Sequence, residues 1–546
     1  MSYARWSALR LYFLLFVASG LLSLQQSAKA EDGAMKLELR SRVPSAEKSA
    51  NFHVVKKEES WKPSETAVIV CDMWDAHHCL NAVRRGTELA PRMNSVLNHA
   101  REQGAIIIHA PSSCVGAYKD HPARARALAV PRSKQLPDEI EKWLDRIPEE
   151  DGGEYPIDQS DGGEDDDPEE HAAWAKELES KGVNPRAPWK AQTDLLGIDN
   201  KRDFISDDGE EIWSILEAEK RENVILLGVH TNMCVLGRPF GLRQMAKNGK
   251  NVVLMRDMTD TMYNPAAKPY VSHFTGTDLI VEHIEKWVCP TITSDQLIGG
   301  DPFVFKNDKR PHLVILSAEK EYKTEETLPR FALEHLGKSF KVSYVFADAN
   351  ERNTLPGIDV VDEADVLLVS VRRRLLPEEQ MKVIRRYVES GKPIVGIRTA
   401  NHAFCLKSKE SVEGLADWPT WDAEIFGGNY TNHHGRGPAV SVSKASSVLD
   451  HDILAGVDVS LLKGKGSLYE VSPIDEKAMP LLTGEIEGKP AEPIAWVYKS
   501  KFGNPTFYTS LGHPEDFAQE EFVELLRNAV HWAAGVPVAK DLAVAK

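Results

Sequence analysis

Short runs of apolar and β-branched residues recur along this chain, and stretches with apolar positions at helical spacing separate them. Thr66 to Cys71 is the first such run and reads as a strand buried on both faces, as strands of parallel sheets are. A helical pattern covers Ala90 to Gln103. Strands follow at Ala105 to His109, Asn223 to Leu227 and Asn251 to Met255, with a helix-like stretch, Leu236 to Lys247, between the last two. Leu279 to Val281 gives a weaker strand signal. A second alternation begins at His312, with strands at Leu313 to Leu316, Val342 to Phe346, Asp365 to Val369 and Pro393 to Ile397. Pro377 to Ser390 reads as a helix, with proline near its start and Gly391 past its end. This alternation predicts two three-layer α/β/α domains, each with a mainly parallel sheet.

The interruptions give the boundaries. Residues 1–30 read as a secretory leader: Arg5 and Arg10, then an apolar run from Leu11 to Leu24, then Ala28-Lys29-Ala30 as a small-x-small cleavage site. That run falls short of the ~20 residues a membrane-spanning helix needs, so the expected location is secreted or periplasmic, with no span after cleavage. Residues 31–60 are polar and read as a lead-in linker, 61–298 as the first domain, 299–310 as a linker, 311–538 as the second domain and 539–546 as a tail. Residues 137–190 interrupt the first domain with acidic, glycine-rich sequence. They read as a solvated surface insertion, or as a loop for a hard cation such as calcium, although the EF-hand order of ligands is not met.

Composition narrows the function. A net charge of −16 argues against nucleic acid and anionic membranes as partners. Six cysteines in 546 residues are no disulfide scaffold, and none has zinc-ligand spacing. One of them, Cys234, stands six residues after the strand Asn223 to Leu227 and its glycine turn, just ahead of a helical pattern. A thiolate there gains from the helix dipole. Asp72 likewise follows a strand, Thr66 to Cys71. Side chains at the carboxyl ends of parallel strands gather at one sheet edge, so Asp72 and Cys234 are expected to meet despite their separation in sequence. A carboxylate beside a thiol takes its proton, and a nearby lysine balances the charge.

Gly228, Thr231, Cys234 and Val235 form a G-x-x-T-x-x-C-V motif. With Asp72, it resembles the isochorismatase-like cysteine hydrolases, a superfamily that includes nicotinamidases and other amidases. The resemblance spans about Trp61 to Leu297. It implies that Asp72 deprotonates Cys234, that a mid-chain lysine stabilises the ion pair, and that the thiolate attacks the carbonyl of an amide or related C–N bond. Lys201 is the expected lysine and Lys190 the runner-up. The resemblance also implies a non-proline cis peptide at Val229-His230. Trp74, His77, His230 and Thr231 are expected at the substrate, and the first three depart from the familiar pattern. Asp75-Ala76-His77 has the local form of a nicotinamidase metal site, which makes Asp75, His77 and His109 metal candidates, although no cofactor is required by the chemistry.

Three segments of the second half resemble the ThuA-like (trehalose-utilisation) family, which has a class I glutamine amidotransferase-like fold: Gly391 to Ala400, Phe426 to Gly435, and Phe507 to Phe517 with His531 to Gly535. The turn that carries the amidotransferase cysteine holds Arg398 instead. Arg398, His402, His433, His434 and His513 are expected to line a polar pocket there, and the family suggests a carbohydrate ligand. The sequence therefore predicts an exported two-domain hydrolase of a small-molecule substrate. Its alternatives are a non-catalytic carbohydrate-binding protein and a carbohydrate-modifying enzyme acting through the second domain. Homo-oligomerisation is left open.

Overall fold

The computed structural model describes residues 33–538, except 48, 408–411, 436–438 and 448–449. The expected leader and tail lie outside the described residues. Among the described residues, no helix is long and apolar enough to cross a membrane.

The first sheet has eight strands in the order Phe52–Trp61, Met35–Pro44, Thr291–Ile292, Asn251–Asp260, Asn223–Val229, Thr66–Cys71, Ile106–Ala110 and Phe204–Ile205. The last six are parallel, and the first two form an antiparallel hairpin at the edge. Thr66–Cys71 lies at the centre and is buried along its whole length, which is why its sequence shows no alternation. The helices Leu80–Gln103 and His273–Trp287 are among those that bury apolar residues against this sheet.

Four expectations need correction. The lead-in linker, residues 31–60, contains the edge hairpin. Met35, Leu37 and Leu39 are buried and alternate with exposed Lys36 and Glu38, a period-two signal masked by the segment's charge. Leu279 to Val281 is not a strand but lies inside the helix His273–Trp287, whose N-terminus is capped by Ser272 accepting from the Thr275 N–H. A three-residue apolar run cannot by itself separate strand from helix. The helix after Cys234 is broken: a helical turn at Thr231–Val235 ends near Arg238, and the α-helix resumes at Leu242–Lys247. Pro239 disfavours the α conformation of Arg238 and has no N–H to continue the ladder. Finally, the acidic insertion is not simply solvated. Asp165 and Asp166 have buried side chains, and the helix Pro168–Ser180 follows them.

The second sheet runs Lys341–Phe346, His312–Ala318, Val366–Val371, Ile394–Ile397, Pro505–Thr509, Glu492–Lys499, Met479–Glu485, Val440–Lys444 and Lys463–Gly464. The first five are parallel and the rest antiparallel. Apolar clusters on both faces, one around Phe507 and Phe522 and the other around Trp421 and Trp496, make this a three-layer domain. Residues 299–310 are anchored to the first domain. Phe303 and Phe305 pack on its core, and Arg310 pairs with Asp278.

Candidate active site

The carboxyl ends of three neighbouring parallel strands converge on one buried carboxylate. Asp72 follows the central strand and has φ +50°, a left-handed backbone unusual for a non-glycine residue. Its Oδ1 accepts from the Ser112 N–H at 2.8 Å, just beyond the strand Ile106–Ala110. Its Oδ2 accepts from Arg238 Nε at 3.1 Å, and Arg238 Nη2 lies 3.0 Å away. The Cys234 thiol lies against the same carboxylate from the turn after Asn223–Val229. Burial raises the Asp72 pKa, while Arg238, Ser112 and Cys234 pull it down. Burial and then the Asp72 charge push the Cys234 thiol well up, against Arg238 and the His230 N–H. The resting thiol is therefore neutral.

The turn is built for this approach. Gly228 has φ +113°, and a Cβ there would lie 2.0 Å from the Cys71 carbonyl oxygen. Gly228→Ala is expected to cost roughly 3 kcal/mol or more, read as a lower urea midpoint; a loss under ~0.5 kcal/mol would show that the two strands can separate freely. Thr231 Oγ1 is 2.7 Å from Thr259 Oγ1, which donates to the Gly228 carbonyl. Thr231 is fully buried, so it braces the turn rather than facing a substrate. The cis peptide expected at Val229-His230 is present.

The lysines lie elsewhere. Lys201 and Lys190 are exposed, and neither is among the strongest influences on Asp72 or Cys234. The cation at the carboxylate is Arg238, four residues after Cys234 and so one helical turn away. Sequence reading missed it, although the i, i+4 spacing is a readable signal.

Trp74, His77 and His230 come together beside Asp72. Trp189, unassigned from sequence, completes the group by stacking on Trp74 at 4.9 Å and on His77 at 5.7 Å. The His77 and His230 rings meet edge to face at 4.8 Å. Burial holds both imidazoles neutral and pushes His230 down to about 3. A cavity of about 50 Å³ lies between this aromatic group and Asp72. A larger one, about 460 Å³ and lined by Trp143, Tyr155, Asn232, Met233, Arg243 and His283, adjoins the other side of the turn. Trp143 also stacks under the Arg238 guanidinium at 5.4 Å, but neither Cys234 nor Asp72 lines this second cavity.

The proposed metal candidates do not converge. Asp75 Oδ1 accepts from the Lys190 and Ala191 N–H groups, His77 Nδ1 accepts from the Cys79 N–H, and buried His109 bonds Gln192 and Asp203. Among the described residues, the groups with metal-ligating atoms close together are Cys79 with Asp165 and Asp166, and Glu164 with Asp166 and His171. Asp165 and Asp166 are engaged by other partners: Arg85 and His273 on the first, the Leu80 and Asn81 N–H groups on the second.

In the second domain, Arg398 and His402 are buried at the end of the strand Ile394–Ile397, and His433 is exposed nearby. Tyr469 lies over the Arg398 guanidinium at 4.3 Å and near both histidine rings. His513 reaches this group through Tyr322, whereas His434 is paired with Glu470.

The fold and these sheet-edge sites define a chain of two α/β domains. Its second domain is a ThuA domain: residues 312–533 match the family model described as trehalose utilisation. A ThuA-like protein from Bacteroides uniformis is 19% identical, with a TM-score of 0.32 over 43% of this chain and 95% of its own. One from Parabacteroides merdae is 18% identical, with a TM-score of 0.32 over 43% and 94%. A cysteine hydrolase from Pseudomonas syringae is 17% identical, with a TM-score of 0.27 over 44% and 93%. Comparison with curated proteins gives no match.

Proposed function

We propose that the first domain is a cysteine hydrolase of an amide or related C–N bond. The observation that carries this reading is the convergence of the Cys234 thiol and the Arg238 guanidinium on the buried Asp72 carboxylate. Asp72 takes the thiol proton as the sulfur attacks the carbonyl carbon. Backbone N–H groups of the turn hold the oxyanion. The amine leaves with the proton held by Asp72, and water then cleaves the thioester and regenerates the thiol. Arg238 stays charged throughout and acts only by electrostatics, since a guanidinium does not give up its proton. The stacked Trp74, Trp189 and His77 rings suit a flat substrate group. An exported location, read from the leader, accompanies this proposal.

The test is intact-mass analysis during turnover of a panel of aromatic and aliphatic amides. An acyl adduct mapped to the Cys234 peptide is expected. Turnover that persists in Cys234→Ser sinks the proposal. Lys201→Ala is expected to leave kcat/KM unchanged, while Arg238→Met lowers it by about a hundredfold; the reverse pattern would return the cation's role to the lysine.

A further inference from the structure

The end of the second domain's parallel sheet carries positive charge that no ion pair among the described residues neutralises. Arg398 follows the strand Ile394–Ile397 and is 2% exposed. Its guanidinium lies between the Tyr322 and Tyr469 rings, at 4.6 and 4.3 Å. It donates to the Ser467 and Ser510 carbonyls and to the Tyr322 and Ser467 hydroxyls, none of which carries charge. Among the described residues its Nε has no partner, and neither does Asn401 Nδ2 three residues on, itself 2% exposed. Burial keeps Tyr469 and Tyr508 protonated, so no phenolate supplies the missing charge.

Arg373 stands beside this turn, just past the neighbouring strand Val366–Val371. Its N–H donates to the His402 carbonyl at 3.1 Å. The partly exposed guanidinium acts on His402, Tyr430 and Cys405, and among the described residues no carboxylate pairs with it. Of the nearby carboxylates, Glu321 pairs with Arg372 at 2.7 Å and Glu470 with His434 at 3.3 Å, while Asp422 accepts from the Tyr430 N–H and is pushed up to about 7 by burial, so it holds its charge weakly. Arg373 and Arg398 have φ +48° and +47°, left-handed conformations that non-glycine residues hold mainly where surrounding structure enforces them, often at functional sites. A buried guanidinium without a counter-charge is costly, and here a second arginine, without an ion pair among the described residues, accompanies it at the sheet edge where parallel-sheet domains bind ligands.

We propose that this edge is an oxyanion site for a small ligand bearing a carboxylate or phosphate. Arg373 makes the direct ion pair, and buried Arg398 supplies a fixed positive field behind it. The partly exposed Tyr430 ring, backed by buried His402 at 4.5 Å, offers a flat face for the body of the ligand. The site is independent of Cys234 and takes no part in the proposed hydrolysis.

Calorimetric titration of the full chain with sodium glucuronate, inorganic phosphate and glucose at constant ionic strength tests this. Saturable binding of glucuronate assigns a carboxylate ligand and of phosphate a phosphorylated one; either supports the site, provided glucose binds at least about tenfold more weakly. Arg373→Ala should weaken the anion by about tenfold or more without shifting the melting temperature, and Arg373→Lys should recover part of the loss. The proposal is overturned if neither anion binds, if glucose binds equally well, or if Arg373→Ala binds like the parent. Retained anion binding in Cys234→Ser separates this site from the first domain's chemistry.

Discussion

Replacing Asp72 by Asn is expected to lower turnover by about a thousandfold or more while making the Cys234 thiol easier to ionise. Burial is the largest reason this thiol resists ionisation, the Asp72 charge is second, and Arg238 works in the opposite direction. Asparagine removes the negative charge and leaves the guanidinium in place, so the thiol pKa falls. Alkylation of Cys234 by iodoacetamide at fixed pH should then speed up as turnover disappears. The six free cysteines require the alkylated site to be mapped by peptide mass analysis. The opposed signs matter because a packing defect does not produce them. If Asp72 only shaped the turn, both readouts would fall together, or neither would move. Slower alkylation in Asp72→Asn alongside lost turnover would remove Asp72 as the base. Cys234→Ser, nearly isosteric, should lose turnover to a similar degree and keep its melting temperature within a few degrees.

What the sequence made legible follows from how locally each feature is determined. Thr66–Cys71 shows itself because six successive buried positions leave an uninterrupted apolar run. Asp72 and Cys234 are legible because a strand end fixes the sheet edge on which a side chain emerges, whatever its distance along the chain. Arg238 was missed because its spacing places it one turn from Cys234 but does not say that it meets Asp72, 166 positions away in sequence. The edge hairpin was missed because Lys36, Glu38 and Arg40 dominate its composition, although the alternate positions are buried. The acidic insertion was misread for the same reason: composition counts charges, and it does not say which of them meet a partner. Asp166 receives the Leu80 N–H at 2.7 Å and the Asn81 N–H at 2.7 Å, and so caps a 24-residue helix from 86 and 85 positions away. A cap supplied from so far along the chain leaves no local signature.

The same insertion sets how stability should depend on pH. Asp165 and Asp260 both engage Arg85 and His273 in a buried group, with His273 Nε2 2.9 Å from Asp260 and Nδ1 3.2 Å from Asp165. Two carboxylates and one guanidinium leave a single negative charge, which a protonated His273 cancels. Burial opposes that proton, but Asp260 and Asp165 outweigh it and raise His273 from 6.5 to about 9. A raised histidine stabilises fully below its unfolded pKa, and the contribution is lost as pH climbs through the folded value. Stability should therefore fall by roughly 3 kcal/mol between pH ~6.5 and ~9. Below pH 6.5 the sign reverses. His230 and His312 are held neutral by burial at about 3, so each favours the folded state above 6.5 and loses that contribution as pH drops. Urea midpoints should peak near pH 6.5 and decline on both sides. His273→Gln should lower the midpoint strongly at pH ~6 and hardly at pH ~8.5 or above. Above pH ~8 the thiols, all raised by burial, add a decline of their own, so the test lies between pH ~6.5 and ~8: a decline as steep in His273→Gln as in the parent there would mean that this group does not hold the insertion against the helix Leu80–Gln103.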